Sequence, residues 1–189
     1  MLTFGTPCAI NRHNLLFFHS SEGNLEYGDP TGIMGHDWGR MCFNAAKTFY
    51  AGWYSDRHVT VKPELGTYKG NLVDVNSAYL GRIKKQDKVV VRLQGTKEET
   101  LFFMLHRLEG ITSDMEPEYI PAFANRVNIV SQAFQGMASK AVAQLASGEE
   151  YIQQNWARTG KALHIKVCSL CSLREKGGRA VTTPSSHHQ

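Results

Sequence analysis

The sequence predicts an α+β protein, a short helical part followed by an antiparallel, sandwich-like β part. Three observations carry that reading. Between Met41 and Trp53 the apolar residues Met41, Cys42, Ala45, Ala46, Phe49 and Trp53 recur near a 3.6-residue period, with Lys47 and Thr48 off the stripe. From His58 onward, short runs rich in Val, Leu, Ile and Phe replace that period. Gly or charged turn residues separate the runs, as in an antiparallel sheet packed as a sandwich.

Ahead of the helix, Asn11–Phe18 is an apolar-rich helix end, too short to hold without a partner surface. Ser20–Asn24 reads as polar loop. In the next stretch Gly28, Asp29, Pro30, Gly32 and Gly35 alternate with Tyr27, Ile33 and Met34, a composition for tight turns around buried side chains. Beyond the helix, Val59 and Val61 alternate with polar neighbours, and Pro63 closes the run as an edge strand would. Further strands are expected at Asn71–Val75, Lys88–Leu93, Thr100–Leu108, Arg126–Val130, Ala141–Leu145 and Leu163–Ser169. Gly95–Glu99 reads as a hairpin turn, Ser147–Glu150 as a turn before a strand near Tyr151, and Glu109–Phe123 as a long loop. The chain thus divides into residues 1–57, a β-rich part over 58–171, and a disordered tail over 172–189. The first part has one good helix and must lean on the second to bury it.

A hydrophobic fraction of 42% against 20% charged residues points to a globular chain and away from disorder or a coiled coil. The net charge of +4 comes from basic residues spread along the chain, so no nucleic-acid partner is expected. No run approaches the roughly eighteen apolar residues of a membrane span. The N-terminus has no basic segment before a continuous apolar run and does not read as a signal peptide. A monomer is expected. Cys8, Cys42, Cys168 and Cys171 permit one or two disulfides, and the lone C-x-x-C of Cys168 and Cys171 is a weak metal or redox signal. The aromatic residues of Phe49–Tyr54 sit at helical spacing and read as interior packing.

His13 and His19 lie six residues apart. On one continuous helix that spacing turns through about 600°, so both rings reach one metal only where the helix ends between them and the chain bends back. The zinc motif H-E-x-x-H-x-x-G-x-x-H has this property: its glycine turns the chain and its last histidine closes the site. Against it, His13 matches the second histidine and His19 the third. Ala9 stands at the first histidine, Ile10 at the glutamate and Leu16 at the glycine.

The segments His13-Asn14-Leu15, His19-Ser20, Glu26-Tyr27-Gly28-Asp29, Ile33-Met34-Gly35, Met41-Cys42-Phe43-Asn44-Ala45-Ala46-Lys47 and Gly52-Trp53-Tyr54-Ser55-Asp56-Arg57 resemble the region after the catalytic helix in the gametolysin family of zinc metallopeptidases. A more diffuse likeness runs on through the β part to about residue 171. The resemblance implies a metzincin-like C-terminal subdomain over residues 1–57, followed by the β-sandwich-like domain. It implies His13 and His19 as inherited zinc ligands and Met34 as the Met-turn residue packed beneath them. Glu26, Asp29 and Gly35 would form the supporting turn. His36 or Asp29 are the candidates to replace a missing ligand. The family acts on extracellular or cell-wall protein and glycoprotein, and so implies that location for a full-length member.

A catalytic zinc takes three protein ligands and an open position for water, with a nearby glutamate as base. Ala9 and Ile10 supply neither. The expected function is therefore that of a truncated or degenerate gametolysin-like metallopeptidase with no catalytic residue, with zinc weak or absent and no activity of its own. The competing reading is a non-catalytic β-sandwich module that binds extracellular protein or glycan.

Overall fold

A computed structural model describes residues 42–62, 66–95, 100–115, 117 and 119–170, together with the backbone of residues 2–6. Its elements are mixed. Strand β1 (Leu2–Thr6) precedes helix α1 (Ala45–Tyr50), strand β2 (His58–Val61), strand β3 (Gly70–Asp74) and helix α2 (Val75–Tyr79). Strands β4 (Val90–Leu93) and β5 (Leu101–His106), helix α3 (Ile120–Phe123) and strands β6 (Arg126–Ser131), β7 (Lys140–Leu145), β8 (Glu150–Gln153) and β9 (Leu163–Lys166) follow.

The centre is β5, LFFMLH, all six residues of which are buried. Successive side chains of a strand point to opposite faces, so an unbroken apolar run implies cover on both. Leu101, Phe103 and Leu105 join Val91, Leu93, Val127 and Ile129 in one core. Phe102 and Met104 join Val90, Val130 and the helix residues Ala45 and Ala46 in the other. The five-stranded sheet runs β2-β4-β5-β6-β7, with β1-β3 and β8-β9 as separate pairs. On one face lies α1. On the other, Trp156, Ile165 and Val167 of the β8–β9 region close the core.

The sheet is antiparallel from β4 to β7, with Leu93 opposite Leu101 across the expected hairpin and a register shift at Ile129/Val130. It is parallel between β2 and β4, as is the β1–β3 pair. This departs from a purely antiparallel arrangement for a topological reason. The chain between β2 and β4 holds β3 and α2, and so forms a crossover long enough to return in the same direction.

Several boundaries move, each with a local cause. The first helix stops at Tyr50, three residues short of Trp53, because Gly52 takes φ +73° and Gly52 N–H turns to the Phe49 carbonyl. Lys47 and Thr48, placed off the apolar stripe, are buried at 1% and 0% exposure, so the helix is enclosed on more than one side. The strand expected to reach Val75 ends at Asp74, which is extended at ψ 145° and accepts a hydrogen bond from the Ser77 hydroxyl at 3.1 Å as α2 begins. Residues 109–123, read as loop, contain a 3-10 turn at Gly110–Thr112 and the short α3, with Pro121 in its first turn. The expected Asn11–Phe18 segment and the tail over 172–189 lie outside the described residues.

Candidate functional site

His13, His19, Glu26, Asp29, Met34 and Gly35 all lie outside the described residues, as do Ala9, Ile10, Leu16 and His36. What the structure displays is the support that follows them in sequence. Asn44 caps α1, its side-chain oxygen accepting from the Lys47 amide at 3.1 Å. Its Nδ2 donates to Ser139 Oγ at 2.7 Å, which ties the helix start to the chain just before β7. Ala45 and Ala46, exposed by 2% and 0%, let the helix backbone approach β4, β5 and β6 closely. Cys42 is disulfide-bonded, and its partner lies outside the described residues, whereas Cys168 is a free thiol.

After the helix, Trp53 packs on Phe43 with ring centroids 4.8 Å apart. Tyr54 adopts a left-handed conformation at φ 59° that opens the 3-10 turn Ser55–Arg57. Arg57 then donates to the carbonyls of Lys84 and Lys85 at 2.9 and 3.3 Å, fastening this corner to the approach of β4. Phe49 stacks on His58 at 4.9 Å and lies beneath the Arg92 guanidinium at 5.4 Å. Burial lowers the His58 pKa, against smaller raising contributions from the Trp53 backbone and Asp56. These side chains serve packing and orientation.

A second cluster, absent from the sequence reading, surrounds Asp74 at the β3–α2 junction. Its carboxylate is 2% exposed and lies 3.2 Å from Arg107 Nε, with Glu109 at 3.9 Å from the same guanidinium. Burial raises the Asp74 pKa to about 6, more than Arg107 and the Ser77 hydroxyl lower it. Gly110 turns beside this cluster at φ +59°, where a Cβ would come within 2.2 Å of the Asn76 side chain. No sequence motif joins Asp74 to Arg107, because they meet only when β3 and β5 are brought together.

A third feature is a groove of about 1000 Å³ between the β2 end of the large sheet, residues 66–69 and β9. Val61, Leu93, Trp156 and Ile165 form its floor, and Lys62, Lys69, Lys161 and Lys166 stand along it. Their sequence positions, about a hundred residues apart, gave no signal of this grouping.

Among the described residues, no group of three or more His, Cys, Asp or Glu side chains is placed to hold a metal ion, and no helix is long and apolar enough to cross a membrane. Residues 4–94 match the family model of gametolysin peptidase M11. Over that span, just under half of the chain, the sequence is similar to this family. The match spans the candidate ligands, α1 and the first strands of the large sheet, and ends at β4, short of the likeness expected to residue 171. No curated protein and no solved structure matches the chain.

Proposed function

We propose that this chain is a degenerate gametolysin-like metallopeptidase, one that descends from an enzyme acting on extracellular or cell-wall protein and does not itself hydrolyse peptide bonds. The observation that carries the reading lies within the matched residues: Ala9 and Ile10 occupy the places of the first histidine and the glutamate, ahead of His13 and His19. A methyl and a sec-butyl side chain offer neither a donor to a metal nor a base for water. Two imidazoles fall short of the three protein ligands of a catalytic zinc site. The donor set therefore does not fit a catalytic zinc.

On this reading His13 and His19 are inherited ligand positions. Met34 is the methionine of a metzincin-type turn beneath them, in a turn built with Glu26, Asp29 and Gly35. Leu16 replaces a residue that turns the chain, where a left-handed non-glycine residue costs roughly 1–2 kcal/mol. Support for this finer picture comes from the matched span and the order of the segments within it.

The test is to restore the motif. The unaltered chain is expected to show no stoichiometric zinc after dialysis and no chelator-sensitive cleavage of a quenched polypeptide substrate. The variant Ala9→His, Ile10→Glu, Leu16→Gly is expected to gain one tightly held zinc, lost again on His13→Ala or His19→Ala. Chelator-sensitive hydrolysis by the unaltered chain would overturn the proposal. Zinc uptake by the restored variant that ignores His13 and His19 would remove those two as ligand positions.

A further inference from the structure

The groove beside β2 and β9 is independent of the metal motif and has a chemistry of its own. Among the described residues, its lining includes four lysines and His164 but no carboxylate. Lys62, Lys69, Lys161 and Lys166 are exposed and have no ion-pair partner among the described residues, while His164 already bonds Glu150 at 2.9 Å. Four like charges gathered over a floor of apolar side chains repel one another, and low-dielectric walls strengthen the potential they share. An anionic occupant relieves that repulsion.

The walls indicate which kind of anion. Strand β2 ends the five-stranded sheet, and β9 pairs only with β8. Each therefore has a side without a strand partner among the described residues, the edge that an extended main chain pairs with. Side chains alternate there: Val61 is buried and Lys62 exposed, and Ile165 is buried between exposed His164 and Lys166. A bound strand has the same period of two, so acidic residues meet the lysines while apolar ones meet the floor. Trp156 in that floor is 5% exposed. The same burial removes the open aromatic face on which sugar rings or bases stack. We propose that this groove binds an extended acidic polypeptide segment by adding it to the β2 or β9 edge.

The test uses the full chain and a short labelled peptide alternating Glu with Val, followed by fluorescence anisotropy. Saturable binding is expected, weakening as salt rises. The pair Lys62→Glu, Lys166→Glu is expected to weaken binding about tenfold or more. The pair Lys62→Gln, Lys166→Gln should fall between this and the unaltered chain, and circular dichroism confirms that each variant is folded. Unchanged affinity in the glutamine pair overturns the proposal. Equal binding of a peptide with Lys in place of Glu overturns the acidic specificity. Stronger binding of a polyuronate or an oligonucleotide of matched charge overturns the choice of a polypeptide.

Discussion

Replacing Asp74 with Asn changes how stability depends on pH, and the sign follows from the surroundings of the carboxylate. Folding takes Asp74 to 2% exposure beside Arg107, and burial outweighs the guanidinium, so its pKa rises from 3.8 to about 6. The folded chain then holds a proton that the unfolded chain releases across that interval. Stability from this group is fully present below about pH 4 and is lost as pH rises through about 6. The rise from 3.8 to about 6, at roughly 1.4 kcal/mol per tenfold change in proton affinity, sets the loss on the order of 3 kcal/mol. Asparagine keeps an acceptor for the Ser77 hydroxyl and cannot ionise. The unaltered chain minus Asp74→Asn should therefore fall by that order between about pH 4 and pH 7 in urea denaturation. His58 contributes with the opposite sense: its pKa is lowered, so its stability is present above 6.5 and lost as pH falls below it. Both chains carry His58, and the subtraction removes it. Parallel curves, or a difference that rises with pH, would refute the reasoning.

Three further substitutions probe the frame. Ala46→Leu places extra methylenes where exposure is 0% between α1 and the sheet, and is expected to cost about 1–3 kcal/mol in chemical denaturation. Asn44→Ala removes both the α1 cap and the bond to Ser139, at about 1–2 kcal/mol. A double-mutant cycle with Ser139→Ala should show coupling, and strict additivity would deny that the 2.7 Å bond matters. Gly110→Ala forces a Cβ against Asn76 at a positive φ and is expected to lower the melting temperature, with partial recovery when Asn76→Ala is added.

Strands β2 to β9 were legible because each is a run of apolar or alternating residues bounded by turn residues, whereas β1 was not expected; β5 carried the clearest signal since both its faces are covered. Parallel pairing of β2 with β4 was not legible, because strand direction depends on a crossover whose α2 is one five-residue helix hidden behind a strand signal. Lys47 was misplaced because its charge argued for solvent, whereas the helix is enclosed where Asn44 ties it to Ser139. The Asp74–Arg107 pair and the lysine groove escaped altogether. Each joins residues far apart in sequence, and single charged side chains on separate strands carry no periodic signal.

The segment Cys42-Phe43-Asn44-Ala45-Ala46-Lys47 contributes to the gametolysin likeness, and its described contacts are structural. Asn44 is a cap and a tether, Ala45 and Ala46 permit close approach, and Cys42 forms a disulfide. The described contacts of Asn44, Ala45 and Ala46 run to the Lys47 amide, to Ser139 and to the sheet, so this part of the frame tolerates the loss of a zinc ligand. Its own residues are less free, since a larger side chain at Ala46 must displace the sheet or the helix. On the proposed reading, sequence likeness should therefore persist in the frame after it has gone from Ala9 and Ile10. It follows that restoring the metal motif should leave the fold's stability without zinc nearly unchanged, whereas Ala46→Leu should lower stability whether or not zinc is present. A restored variant that unfolds on chelation would refute this separation of frame from motif.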